Sequence, residues 1–215
     1  MLLYWLHTGV FMNFSLPPFP ELDYIILMEA LHSYRFPRKA ISDFIKRGRL
    51  IRVKKGIYIQ KGPGISPVSK SVLASLLYGP SYISYESALS YHGLIPEAVH
   101  EITSATAGKS KEMHTPLGIF RYVHLPKKYY SFGYKSEPVD DYRSFLIALP
   151  EKAICDRVLL EKGRFFIKGM KSFLFENLRI DPEVFKNLDT GVFEEAAERY
   201  KRNSLHILFS LKKDF

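Results

Sequence analysis

A single cysteine, Cys155, stands among the 215 residues. No disulfide can form within the chain, and a reducing, cytoplasmic compartment is the expectation. Long apolar runs are also scarce. The opening stretch MLLYWLHTGVFMNF is too short to span a bilayer and lacks the basic head and small-residue cleavage site of a secretion signal. Neither a membrane anchor nor a leader is expected. Residues 1–20 read as an N-terminal extension, with Met1 and Met12 as the alternative initiators, and SLPPFP breaks the chain before the first clear helix. The seven histidines (His7, His32, His92, His100, His114, His124 and His206) fall in no paired short spacing, so no metal is expected, and no cofactor either.

Three catalytic patterns are missing in part. AGKS at 107–110 ends like a phosphate-binding loop, but the glycine required five residues before Gly108 is Thr103. Ser84, His92 and Asp156 could compose a triad, yet no nucleophile-elbow glycines flank Ser84, which reads as a helix N-cap. Asp140, Asp141, Glu151 and Lys152 supply the groups of a metal-dependent nuclease. Glu151 and Lys152 are adjacent, however, and would point to opposite sides of a strand. After Pro150 they open a helix, where an acid suits the first turn. No catalytic residue is assigned. Cys155, inside PEKAICDRVLL, reads as a small core residue.

Apolar residues make up 47% of the chain, ordinary for a globular protein. The pattern predicts an α+β protein: an abbreviated winged helix-turn-helix over 21–62, then a mixed α/β domain over 70–215 that ends in helices. PELDYIILMEALHSY carries Leu22, Ile25, Ile26, Met28, Ala30 and Leu31 on a broad helical face, with Pro20 and Glu21 in its first turn. Pro37 opens a second helix with the stripe Ala40, Ile41, Phe44 and Ile45, and Gly48 ends it. RLIRV and GIYIQ follow as short strands joined by KKG. Helix, helix and hairpin is the order at the end of a winged helix, one helix short of a full one. KGPGISPVS reads as the linker. Beyond it come helices over SKSVLASLLYG and SYESALSYHGLIPE, strands over VHEITSAT, LGIFRYVHL and SFLIALP, and a helix over PEKAICDRVLLEKG. Three more helices follow, over DPEVF, GVFEEAAERYKRN and SLHILFSLKK. The Tyr-rich LPKKYYSFGYKSEP fits a partner-binding loop and half-buried β structure equally.

What the chain has in excess is local positive charge. Between Arg35 and Lys61 stand ten bases and one acid, Asp43, a net +9 equal to the net charge of the whole chain. Such concentration costs self-repulsion and points to an anionic partner. Arg38, Lys39, Ser42 and Lys46 share the helix face opposite Ile41 and Phe44, where they could enter a major groove and meet base edges. Arg47 and Arg49 follow that helix. Arg52, Lys54 and Lys55 sit on or beside the hairpin tip, where phosphate contacts position without reading sequence, and Tyr58 can pack or touch sugar. Double-stranded DNA is favoured over RNA because no aromatic platform for unstacked bases interleaves the segment.

Four stretches in order, IKRGRLIRVKKGIYI, GPSYISYESALSYHGLIPE, ITSATAGKSKEMHTPLGIFRYVHLP and FLIALPEKAICDRVL, resemble the AbiEi-type antitoxin family over about residues 21 to 162. Gly48, Arg49, Arg52, Lys55, Gly56 and Tyr58 match its wing pattern. Tyr82, Ser84, Ala88, Leu89, Gly93 and Leu94 match its second block, and Pro150, Glu151, Lys152, Ala153 and Asp156 its third. The resemblance implies a regulator that represses its own operon by binding an inverted repeat as two copies. It further implies a type IV (abortive infection) antitoxin that counters a nucleotidyltransferase toxin without a stable complex. A metal-dependent nuclease of a defence system, or an interaction module that does not bind DNA, are the alternatives.

Overall fold

The computed structural model describes residues 17–62, 67–161 and 165–215. Met12, His7 and residues 63–66 of the linker lie outside them. The first element corrects the expectation of a helix from Pro20. Glu21–Asp23 is a strand, β1, and the helix α1 covers only Tyr24–Ala30. Asp23 sets the boundary: its Oδ1 accepts the Ile26 N–H at 2.8 Å and caps the helix, which frees the preceding residues to pair. The late start rotates Ile25 outward, leaving it 77% exposed, while Leu27 takes the core position.

Helix α2, Pro37–Lys46, opens on proline and buries Ala40, Ile41 and Phe44. Gly48 ends it with φ +68°, a conformation that a Cβ disfavours. Strands β2, Leu50–Lys54, and β3, Ile57–Gln60, form a hairpin that turns at Gly56, also at positive φ. The sheet runs β1-β3-β2, fully antiparallel, with Leu22 opposite Tyr58 and Ile51 opposite Ile59.

Side chains alternate across this sheet. Leu22, Leu50 and Tyr58 face α1 and α2, forming a core with Leu27, Leu31, Ala40, Ile41 and Phe44. Val53 and Ile59 face the other way, into a larger core that contains Val72, Leu73 and Leu77 of α3, Pro67–Leu77. Both faces of a three-stranded sheet are therefore covered.

The larger part is a mixed six-stranded sheet ordered β6-β7-β5-β4-β9-β8. Its strands are β4 Ser81–Ile83, β5 Ile102–Thr106, β6 Lys111–Thr115, β7 Gly118–His124, β8 Tyr134–Pro138 and β9 Ser144–Ala148. The helices are α4 Tyr85–Tyr91, α5 Lys127–Tyr130, α6 Pro150–Leu160, α7 Ile167–Lys171, α8 Pro182–Lys186, α9 Thr190–Tyr200 and α10 Asn203–Lys213; α7 runs on as a π-helical turn over Ser172–Asn177. The chain is thus a mixed α+β protein, as the pattern predicts. Strands β6 and β8 escaped the pattern because they are the sheet edges: KEMHT and YKSEP carry polar, largely exposed side chains and no apolar alternation.

Two polar ties join the small sheet to the larger part. Glu21 of β1 is buried and accepts from Arg143, just ahead of β9, at 3.0 Å. Lys54 Nζ donates to the Leu77 carbonyl at the end of α3 at 2.8 Å. Ile59, with no exposed surface, lies between these ties. Ile59→Ala should cost about 2–4 kcal/mol, read by urea denaturation; a loss below about 1 kcal/mol would contradict the packing of this face of β3 against the larger core.

Candidate nucleic-acid interface

The basic segment is presented outward. Arg35, Arg38, Lys39, Lys46, Arg47, Arg49, Arg52, Lys54, Lys55 and Lys61 are all exposed as residues. None of the ten pairs with a carboxylate among the described residues. On α2, the side opposite Ala40, Ile41 and Phe44 carries Arg38, Lys39, Ser42 and Lys46, the set expected from helical spacing. Arg38 is steered by Tyr24, whose hydroxyl accepts from its Nε at 3.0 Å, leaving the other guanidinium N–H groups outward. Ser42 Oγ donates to the Arg38 carbonyl at 3.2 Å, so its oxygen remains an acceptor. The Arg49 guanidinium stacks over the Phe44 ring at 4.8 Å, which fixes it at the helix end.

Two residues expected at this surface lie elsewhere. Tyr58 is 7% exposed and packs among Leu22, Leu50 and Phe44, so its ring belongs to the core rather than to a sugar contact. Lys54 points to α3. A bulge between Arg52 and Lys54 brings Lys54 opposite Ile57, on the side of the sheet that Ile59 occupies. Its ammonium then meets the C-terminal carbonyl of an 11-residue helix, the negative end of that helix's dipole. Arg52 and Lys55 remain outward at the hairpin.

The residues of the second and third motif blocks assemble far from this surface, around a buried polar cluster. Lys152 and Asp156 sit one turn apart on α6, both 0% exposed, and form an ion pair. Lys152 Nζ also donates to the Tyr82 hydroxyl at 2.8 Å and to the Tyr200 hydroxyl at 3.0 Å. Asp156 Oδ2 accepts from Tyr82 at 3.0 Å and from Ser84 at 2.7 Å. The cluster joins β4, the β4–α4 junction, α6 and the end of α9. Ser84 stands at the N-cap position of α4, but its side chain caps nothing; the buried carboxylate is the stronger acceptor for its hydroxyl. Tyr85, next to it, takes a left-handed φ of 56°, a strain of about 1–3 kcal/mol that the surrounding packing must hold. Gly93, at φ +69°, ends α4 as expected.

None of the triad or nuclease constellations forms. Ser84 bonds the carboxylate directly, while His92 Nε2 lies 2.8 Å from the Ala148 carbonyl. Glu151 is buried in the first turn of α6 and accepts the Asp189 N–H at 2.9 Å, tying α6 to the start of α9. Asp140 pairs with Arg143 before β9, whereas Glu151 follows β9, and five strand residues separate the two by roughly 17 Å. Among the described residues, no group of three His, Cys, Asp or Glu side chains could hold a metal ion. No helix there is long and apolar enough to cross a membrane. Burial pushes the Cys155 thiol well above its ordinary pKa, so it is an inert core group. The Tyr-rich stretch packs inward: Tyr129 stacks on Tyr200 with ring centroids 3.8 Å apart, and Tyr134 on Tyr82 at 4.8 Å.

Sequence reasoning missed Tyr200 and Tyr129 as partners of the motif residues. A Lys–Asp pair at i, i+4 among Ala153, Ile154, Cys155 and Val158 was the available signal for α6, but nothing local marks a tyrosine 44 positions downstream of Asp156. No family model matches the chain, and no curated protein does either.

Removing one partner of the buried pair strands the other charge. Lys152→Met should cost about 3–5 kcal/mol in urea denaturation, and adding Asp156→Asn should recover part of it. Burial, followed by the Asp156 charge, drives the phenols of Tyr82 and Tyr200 well above the ordinary value of 10.0. A raised phenol stays neutral in the folded state after it has ionised in the unfolded one. The folded chain then holds more protons above pH of about 10 and loses stability as pH rises. Tyrosinate absorbance in an alkaline titration should therefore appear for these groups together with unfolding, not ahead of it.

Proposed function

We propose that the protein is a DNA-binding transcriptional regulator whose N-terminal part is an abbreviated winged helix. In this reading α2 enters the major groove, presenting Arg38, Lys39, Ser42 and Lys46 to base edges, while Arg47, Arg49, Arg52 and Lys55 hold phosphates. The observation that carries it is that nine bases on α2, on the hairpin and on the residues flanking them, Lys54 being turned to α3, are exposed and lack carboxylate partners among the described residues. The β1-α1-α2-β2-β3 order, with β1 closing the hairpin into a sheet ordered β1-β3-β2, supports the winged-helix assignment.

The resemblance to AbiEi-type antitoxins extends the proposal to autorepression through an inverted repeat bound by two copies, in the cytoplasm. It also extends it to neutralisation of a nucleotidyltransferase toxin by the larger part. The motif residues there, Tyr82, Ser84, Lys152 and Asp156, are sealed from solvent, which favours a scaffolding role for them over an enzymatic one.

Gel shifts on the upstream region of the gene test the reading. About six phosphate contacts should give a slope near −5 in log affinity against log salt. Arg52→Ala combined with Lys55→Ala should weaken specific and non-specific DNA alike and flatten that slope by about 2, whereas Arg38→Ala should relax the choice of sequence. Unchanged affinity and slope in both variants would remove the DNA assignment.

A further inference from the structure

An apolar groove opens where α1 hands over to α2. It has a volume of about 540 Å³ and is lined by Met28, Phe36 and Pro37 together with Arg35, Arg38 and Lys39. Phe36 is 61% exposed although it is a large aromatic, and the Arg35 guanidinium sits 5.3 Å from its ring centroid. No carboxylate lines the groove, and none of the three cations is ion-paired among the described residues. The floor therefore offers burial to an apolar side chain while the rim offers three charges to acids. Duplex DNA matches the rim but offers the floor no more than single thymine methyl groups, its phosphates and other base edges being polar. A protein segment with an apolar anchor between carboxylates matches both.

We propose that this groove is the docking site of an acidic partner segment that carries an aliphatic or aromatic anchor. The anchor rests on Met28 and Phe36, and flanking carboxylates pair with Arg35, Arg38 and Lys39. Arg38 and Lys39 also belong to the α2 face assigned to DNA, so the segment and the duplex exclude one another, and its arrival would release the operator. That exclusion rests on the DNA-binding reading; the docking itself does not.

The test uses the full chain and a fluorescein-labelled peptide of Asp and Glu with a central Leu-Leu pair, followed by fluorescence polarisation. Its control is the same peptide with Ser in place of Leu. Phe36 stands at the N-cap of α2 and makes no side-chain cap bond. Phe36→Ser therefore removes the floor while supplying a better cap, and the fold is retained. The expected result is saturable peptide binding, at least tenfold weaker for the Ser control and for Phe36→Ser, near normal for Phe36→Leu, and displaced by duplex. Arg52→Ala with Lys55→Ala should lose duplex and keep peptide. If the peptide binds in this way but no duplex binds, the docking stands and the DNA reading fails. Equal binding of both peptides, or of neither, overturns the docking. So does a Phe36→Ser variant that loses duplex rather than peptide, or wild-type self-association that Phe36→Ser abolishes, which would make a second copy the occupant.

Discussion

The central strand β3 has to be buried on both faces, and most of the N-terminal geometry follows from that. Tyr58 and Ile59 are neighbours in sequence and point to opposite cores. A shift of one residue in the register would exchange them, putting a phenol into the aliphatic core beside α3 and an isoleucine against α1 and α2. The strand is also hydrogen-bonded on both edges, to β1 and β2. Helix α2 packs through Ile41 and Phe44 onto one face of a sheet whose other face is held by α3. Its outward side is thereby aimed by the larger part of the molecule, and the two polar ties, Glu21 to Arg143 and Lys54 to Leu77, sit on the sheet side that faces that larger part.

A second constraint lies within the larger part. Lys152 and Asp156 are removed from water, which by itself is costly, and are retained because hydroxyls from β4, the β4–α4 junction and α9 surround the pair, Tyr82 and Tyr200 meeting both members and Ser84 the carboxylate. Charge burial of this kind adds little net stability. Its consequence is positional: β4, α6 and α9 have one arrangement in which Tyr82, Ser84 and Tyr200 all meet the pair. The stacked rings Tyr129–Tyr200 and Tyr82–Tyr134 pack against the same cluster, so the aromatic-rich stretch from α5 to the start of β8 covers it.

Legibility in the sequence tracked how local the cause was. Helix α2 could be read because proline, a four-residue apolar stripe and Gly48 are signals carried by the helix itself. The β2–β3 hairpin could be read for the same reason. Strand β1 could not, since its pairing partners lie 34 to 38 positions away and its apolar residues also fit a helix. The outward set on α2 was legible from helical spacing alone. Lys54 was not, because a bulge is a property of the pairing and reverses the side on which a residue emerges. Tyr58 fits either packing or a sugar contact on sequence grounds, because nothing in its strand shows which face α1 and α2 cover. Ser84, Lys152 and Asp156 were marked by the motif blocks, yet their convergence depends on α9, which packs onto α6 late in the chain.

Ten like charges within 27 residues would destabilise a flexible segment little and a rigid one more, because rigidity prevents them from spreading. At about 10 Å separation in water a pair repels by roughly 0.4 kcal/mol before salt, and screening at physiological ionic strength lowers this further. Screened to about 0.1 kcal/mol each, the forty-five pairs sum to roughly 5 kcal/mol, below the burial of Ile41, Phe44, Leu50, Val53, Tyr58 and Ile59, each worth about 1.5–3 kcal/mol as a fully buried side chain. The fold can therefore hold the charges in fixed relative positions at modest cost. That fixity matters more to recognition than the charge sum. A disordered tail of equal charge would attract any polyanion, whereas cations held on one helix face about two turns apart, as Arg38 and Lys39 are from Lys46, select among anions by geometry. The same rigidity leaves Phe36 exposed beside Arg35 instead of letting it collapse inward, so this surface holds apolar area and fixed positive charge side by side.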